Sequence, residues 1–353
     1  MQTVLTQKDI ALKLGVSQAT VSYAFTNSPK VGNDLRKKIV SYSLEHGYRP
    51  NAYSRAIKKG FTKLIAVLLS QEAHRSYIPL TMQDAIIYEA QRHNYLVIFS
   101  RFSDKMFSSR KFMPRVLSEF SADGIIINYS HLVPEKLDKI VDKFKIPVVW
   151  INRDLPYDCV CPDDKKGVED IIRQLYQMNH RRIAFLHAFS NARASLEPHS
   201  VRNRIAGYLS GMKNCGLEAM PICQLNCDYK EKSLYFKQWW DSLKSEKPTA
   251  IIGYQYADGP FFMRQSAILG INVPKEVSFI VFSDHIDRSM GIQIDNITLP
   301  EDEVGKKAVE MLLNKIKEPS QKLKSYFTKP KWIKGDTCII CKNKKNKEEF
   351  NHE

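Results

Sequence analysis

The sequence predicts an α/β protein: a small all-α unit at the N-terminus, then a two-lobed core of doubly wound parallel sheets. Three observations predict it. Up to about residue 47 the apolar residues recur at helical spacing, as Ile10, Ala11 and Leu14 do, without a strand-like run. Past Gly60, short apolar runs such as 64–69 and 124–127 alternate with amphipathic stretches, the pattern of parallel strands joined by crossover helices. The alternation then starts afresh after Asp164, which makes two lobes rather than one long sheet.

Thr6 is a helix N-cap, with Asp9 three residues on near the positive end of the helix dipole. Gly15 ends that helix, and Ser17 caps a second over 18–25 that carries Gln18, Ala19, Thr20, Val21, Ser22 and Tyr23. Two short helices joined by a glycine-containing turn make a helix-turn-helix. Val21 and Phe25 then face a small core, leaving Gln18, Ala19, Ser22 and Tyr23 to enter a major groove; such helix pairs also occur without DNA. Asn27, Ser28 and Pro29 break the chain, and a third helix covers 33–46 with Leu35, Ile39, Val40 and Leu44 apolar. Residues 48–60 (YRPNAYSRAIKKG) open with a proline at a helix-starting position and close with glycine. A basic helix this short is marginal in water. Ordered on DNA, it would wedge Ile57 between base steps while Arg55 and the lysines meet phosphate; the bland alternative is an interdomain linker.

In the core, helices are predicted at 80–93, around 115–120, and at 165–178, 202–214, 231–244 and 257–269. Strands are predicted at 64–69, 96–99, 124–127, 148–151, 183–187, 222–225, 250–253 and 277–282. With 353 residues, 43% of them hydrophobic, the chain suits two or three domains with a sizeable core. The net charge of +15 suits a polyanionic partner, although a merely soluble basic surface has the same total. Its location says more. Between Lys30 and Lys63 lie Arg36, Lys37, Lys38, Arg49, Arg55, Lys58 and Lys59, against only Asp34 and Glu45.

The ordered series Thr6, Asp9, Ile10, Ala11, Gly15, Val16, Ser17, Ala19, Thr20, Val21 and Ser22, then residues 47–51 (GYRPN), resembles the lactose-repressor (LacI/GalR) family of bacterial regulators. The core carries more of that resemblance, in 122–125 (ADGI), 146–149 (IPVV), Asp163-Asp164 with Gly167, 180–184 (HRRIA), Arg202, Arg204, Gly207 and Tyr208. Further matches are 248–250 (PTA), Val273, Pro274, Val277 and Ser278, and Pro300 with Gly305, so the likeness spans about residues 4–338. It implies DNA contacts from Thr6, Ser17, Gln18, Ala19, Thr20, Ser22, Tyr23, Asn27, Tyr48, Asn51, Arg55 and Ile57, with Gln18 and Ala19 reading base edges. Tyr23 departs from the arginine usual in the family, which removes a bidentate guanine contact of about 1–3 kcal/mol.

The resemblance also implies a core like the periplasmic binding proteins, a homodimer on pseudo-palindromic operator DNA, and a carbohydrate-like effector between the lobes. The effector positions would be Ser70, Asn152, Arg204, Gln255 and Ser283, with Asp284 one residue on. Two acids usual in sugar-binding relatives are replaced by Asn152 and Ser283. An arginine with few acids suits a ligand with its own negative charge, such as a sugar acid; alternatively Asp284 replaces the missing acid, or the pocket is degenerate. Tyr77, Trp150 and Tyr254 are either ring-stacking or core residues, and Trp239 and Trp240 read as packing.

The expected division is a headpiece at 1–49, a hinge helix at 50–62, a core at 63–341 and a polar tail at 342–353. Lobe 1 would take about 63–162 and 294–325, and lobe 2 about 163–293 and 326–341. Seven scattered cysteines, Cys338 and Cys341 among them, have no spacing that completes a metal site, and no cofactor is expected. Without a signal-peptide pattern or an apolar run of about 18 residues, a cytoplasmic, nucleoid-associated location is expected, with no membrane partner. No GxSxG, GxxxxGK[ST] or GxGxxG motif supports an enzyme. The alternative function is a solute-binding protein with the same core; it would lack the basic headpiece.

Overall fold

In the computed structural model, residues 5–26, 28–50, 60–72, 75–108, 114–119, 121–189, 197–284, 286, 288 and 291–342 are described. The chain forms two compact units, Met1–Thr62 and Lys63–Glu353. The first contains α1 (Gln7–Leu14), α2 (Gln18–Ala24) and α3 (Asn33–Glu45). Ile10, Ala11, Val21, Ala24, Val31, Ile39 and Tyr48 form its core. In α3 only Ile39 of the four expected apolar residues is buried. Leu35 and Leu44 point to solvent, and Ser43 takes a core position because its hydroxyl donates to the Ile39 carbonyl oxygen at 2.6 Å.

The second unit begins with β1 (Leu64–Ser70), α4 (Leu80–Arg92), β2 (Leu96–Phe102), α5 (Asp104–Ser108), α6 (Arg115–Ser118) and β3 (Gly124–Asn128). It continues through α7 (Glu135–Phe144), β4 (Val148–Ile151), β5 (Cys159–Pro162), α8 (Asp164–Gln177), β6 (Ile183–His187) and α9 (His199–Asn214). Next come β7 (Cys223–Gln224), α10 (Lys232–Ser242), β8 (Ala250–Gly253), α11 (Asp258–Leu269) and β9 (Ser278–Ser283). The final elements are β10 (Asp295–Thr298), α12 (Glu301–Lys317), β11 (Tyr326–Thr328) and β12 (Lys331–Ile333). The strands make two six-stranded sheets, in the orders β11-β5-β4-β3-β1-β2 and β12-β10-β9-β8-β6-β7. All pairs are parallel except β10–β12.

Helices cover both faces of each sheet, which is why the strands are continuous apolar runs rather than alternating ones. Val304, Ala308 and Leu312 of α12 pack with Met82 and Ile86 of α4 on one face of the first sheet. Val168 and Ile172 of α8 pack with Tyr208 and Met212 of α9 on the second. The expected lobe boundaries near 294 and 325 need correction. Strand β10 pairs with β9, Asp295 opposite Ile280, and so belongs to the second sheet; β11 pairs with β5, Tyr326 opposite Val160, and belongs to the first. The chain therefore changes lobes between β5 and α8, between β10 and α12, and between β11 and β12. Strands as short as these carry too little pattern to reveal which sheet they join.

Gly207 permits the closest helix contact in the second lobe. A Cβ there would overlap the Lys165 carbonyl oxygen at the start of α8. Gly207→Ala gains helix propensity of about 1 kcal/mol, but the clash with rigid backbone outweighs it. A net loss of about 1–3 kcal/mol is expected, seen as a lower urea midpoint at unchanged slope.

Candidate DNA-binding and effector sites

In the headpiece, Thr6 and Asp9 form a reciprocal capping box: the Thr6 amide donates to Asp9 Oδ2 at 2.8 Å and Thr6 Oγ1 accepts from the Asp9 amide at 3.3 Å. The hydrogen bonds from Thr6 hold the Asp9 carboxyl below its usual range. Gly15 takes the left-handed conformation (φ 65°) that ends α1, and Ser17 Oγ accepts the Thr20 amide at 3.0 Å to start α2. Ser17→Ala should cost about 1 kcal/mol of headpiece stability, visible as faster hydrogen exchange at the Thr20 amide. With its apolar side fixed by Val21 and Ala24, α2 exposes Gln18, Ala19 and Tyr23, and half-exposes Thr20 and Ser22. Lys30 Nζ lies 5.1 Å from the centre of the Tyr23 ring.

Two headpiece expectations change. Tyr48 is a core residue of the headpiece: its ring is buried against Phe25, centroids 5.4 Å apart. Arg36 is drawn into the fold, donating to Asn33 Oδ1 and to the carbonyl oxygens of Ser28 and Val31 at 2.7–2.9 Å, and so pins the loop before α3. Asn27, Asn51, Arg55 and Ile57, with most of the hinge segment, lie outside the described residues.

In the second unit, the loops following the carboxyl ends of the two sheets' strands meet each other. Tyr77, beyond β1, donates to Asp284 Oδ2, beyond β9, at 2.8 Å. Asn203 of α9 donates to Asp154, beyond β4, at 3.2 Å, and His199 lies 3.4 Å from the Ser130 carbonyl oxygen, beyond β3. An interlobe cleft at strand carboxyl ends is where open α/β sheets bind ligands.

The expected effector residues divide across this cleft. Asn152, in the left-handed region at φ 58°, donates to Asn128 Oδ1 at 3.2 Å on the first lobe. Arg204, Gln255, Ser283 and Asp284 lie on the second. Ser70 needs correction as a ligand contact: its hydroxyl is fully buried, donating to Asp104 Oδ1 at 2.9 Å and accepting from the Glu72 amide. Around it Arg75 pairs with Asp104 at 2.5 Å, and Tyr129 donates to the same carboxylate at 2.8 Å. Trp150 and Tyr254 are core residues, whereas Tyr77 is 62% exposed.

Sequence reasoning named Asp284 but missed two of the cleft's acids, Asp164 and Glu301. Asp163 does cap α8, accepting the Lys166 amide at 3.0 Å. Asp164 instead turns inward and binds Arg204 Nε at 2.7 Å, while Arg204 Nη1 donates to the Tyr254 carbonyl oxygen. The guanidinium packs over Phe282 and Tyr254, 4.0 and 4.9 Å from the ring centres. That engagement weakens the sugar-acid reading, which rested on an arginine short of acids. Glu301 at the head of α12 is also buried, its carboxyl pushed up to about 8 by burial and then by Asp284 and Asp164. Neither residue could be found by spacing, since 164 and 301 approach only through the lobe crossings. His187, at the end of β6, is pushed down to about 4 by burial and by the charges of Arg204 and Lys232. Its ring lies tilted against that of Tyr254, with centroids 4.2 Å apart. His180 is structural, bridging Thr249 Oγ1 and the Ile339 carbonyl oxygen at 3.0 and 2.9 Å. Among the described residues no three His, Cys, Asp or Glu side chains are grouped to hold a metal ion, and no helix is long and apolar enough to cross a membrane.

Residues 6–51 match the bacterial regulatory proteins of the lacI family, and residues 172–338 match the periplasmic binding protein-like domain. The chain belongs to the LacI family. This LacI-family regulator is 25% identical over 324 residues to the HTH-type transcriptional repressor CytR of Escherichia coli K12, covering 89% of the chain and 91% of CytR. It is 25% identical over 341 residues to the repressor PurR of Vibrio vulnificus, covering 94% and 98%. Its fold matches the lac repressor dimer bound to operator and the anti-inducer ONPF, with TM-score 0.74 and 20% identity over 96% of this chain and 100% of that one. These relatives are transcriptional repressors, and this LacI-family chain is a DNA-binding regulator rather than an enzyme.

Proposed function

We propose that the chain is a repressor that binds a pseudo-palindromic operator as a homodimer and is controlled by a small polyhydroxylated effector in the interlobe cleft. The observation that carries the reading is the capped headpiece presenting the exposed face of α2, with Ser17, Gln18, Ala19, Ser22 and Tyr23 available to a major groove. Gln18 and Ala19 read base edges, with Thr6, Thr20, Asn27 and Asn51 supporting them. Ile57 enters the minor groove, with Arg55 on phosphate. Pairing of two copies is supported by β2, an edge strand with Leu96 67% exposed and Ile98 and Phe99 also exposed, beside Leu80 and Tyr88 of α4. In the cleft Asn152, Arg204, Gln255, Ser283 and Asp284 face the effector from both lobes. Effector binding biases lobe closure, and operator affinity follows through whatever difference in binding the two closures have.

Selection of duplexes from random DNA by the purified protein tests the reading. A defined palindrome is expected, with affinity falling steeply as salt rises. Ile57→Ala should reduce affinity for the selected site far more than for random DNA. Equal binding of selected and random duplexes would sink the proposal.

A further inference from the structure

The face that α2 offers to a major groove carries no charge. Its exposed and half-exposed side chains include Gln18, Ala19, Thr20, Ser22 and Tyr23, and the whole helix reads QATVSYA. A cation for this face has to come from outside the helix, and the loop before α3 supplies one. Lys30 Nζ lies 5.1 Å from the centre of the Tyr23 ring.

That loop is held from two sides. The Tyr23 carbonyl oxygen accepts from the Thr26 and Ser28 amides, both at 3.2 Å. From α3 the Arg36 guanidinium donates to the Ser28 and Val31 carbonyl oxygens at 2.7 and 2.8 Å, and Val31 is itself a core residue. The Lys30 amide donates to Ser28 Oγ at 3.3 Å. The backbone under Lys30 is thereby fixed, while its side chain and the Tyr23 ring are exposed. A lysine that only meets phosphate needs no such seat, because a flexible ammonium is a point charge and phosphate oxygens line the whole duplex. An ammonium drawn to an aromatic face has a definite place, set by the ring quadrupole.

The chemistry of that place is selective. An ammonium has three donors and no acceptor. In the major groove guanine shows two acceptors, O6 and N7, and no donor. Adenine sets an amino donor beside its N7, cytosine shows an amino donor, and thymine shows one acceptor next to a methyl group.

Resting on α2 being the operator-reading helix, we infer that Lys30, seated on Tyr23, reads the O6 and N7 edge of a guanine at one position in each half-site. Tyr23 is the positioning residue of this pair. The contact comes from the loop rather than from the recognition helix, so the neutral face of α2 is completed by a charge that its own sequence lacks.

The test repeats the duplex selection with full-length wild type, Lys30→Met, Tyr23→Leu and the double variant, and then measures affinity for every single-base-pair change of the wild-type palindrome. In Lys30→Met the preference for one guanine per half-site is expected to fall about tenfold, with preferences outside that position kept. Tyr23→Leu retains the cation but removes its seat, so the same guanine preference falls. The double variant then loses little more than either single one, since the two side chains act as a unit. Protected Ile10 and Val21 amides in hydrogen exchange show that the headpiece is folded in each. If Lys30→Met weakens all duplexes equally and lowers the salt slope by about one, Lys30 is a phosphate contact and the assignment is overturned. Unchanged preference at every position, or additive losses in the double variant, overturns it as well. Those results leave operator reading by α2 intact, whereas wild type that selects no sequence overturns both.

Discussion

Replacing Arg204 by methionine is expected to destabilise the protein by about 3–5 kcal/mol, the cost of leaving one member of a buried ion pair uncompensated. The Arg204 side chain is 7% exposed and that of its partner Asp164 is 3% exposed, with 2.7 Å between them. At the surface the same pair would contribute about 0–1 kcal/mol, so burial sets the size of the effect. Methionine fills a similar volume between Phe282 and Tyr254, which removes a cavity as the explanation. Adding Asp164→Leu should restore most of the loss, because the unpaired charge is then gone. Urea unfolding of the single and double variants measures both. A loss below about 1 kcal/mol in the single variant would mean that Asp164 tolerates isolation, contrary to its burial.

Glu301 should make folding stability depend on pH in the direction opposite to an ordinary ion-paired acid. Burial, then Asp284 and Asp164, raise its folded-state value to about 8 from 4.5. The folded protein therefore holds this proton more tightly than the unfolded chain. Its contribution is fully present below the unfolded value and is lost as pH rises through about 8. The loss amounts to roughly 3–5 kcal/mol. Asp258, raised to about 7 by burial, acts in the same sense, whereas His187, lowered to about 4, favours folding above its unfolded value of 6.5. Comparing wild type with Glu301→Gln isolates the one group. The variant is expected to be the more stable at mildly alkaline pH, with the difference shrinking toward acid. Parallel pH profiles in urea titrations would show that Glu301 does not titrate as its surroundings require.

Most strands and helices of the core were legible because a sheet covered on both faces uses uninterrupted apolar runs, such as 64–69 and 183–187. The headpiece was legible for a different reason. Its stops and starts are local chemistry, with Thr6, Ser17 and Gly15 acting within one turn of where they stand. The errors fall where local chemistry has no say. The resemblance implies Tyr48 as a DNA contact, yet its ring packs in the headpiece core against Phe25. The resemblance implies Ser70 as an effector contact, but α5 brings Asp104 to it. The segments of β10 and β11 do not read as strands, and lobe boundaries near 294 and 325 put them on the wrong side, because three or four residues cannot announce their neighbours.

The sequence by itself determined that this protein has a helix-turn-helix headpiece on a two-lobed α/β core, because capping and periodicity act over a few residues and are written in order along the chain. Only the tertiary structure decided what surrounds Arg204. Asp164 and Asp284, 120 residues apart, lie on the same lobe, and the crossing between β10 and α12 brings Glu301 toward them. Charge and desolvation act through space at a few ångströms, so the chemistry of the cleft depends on the folded path and not on the order of residues.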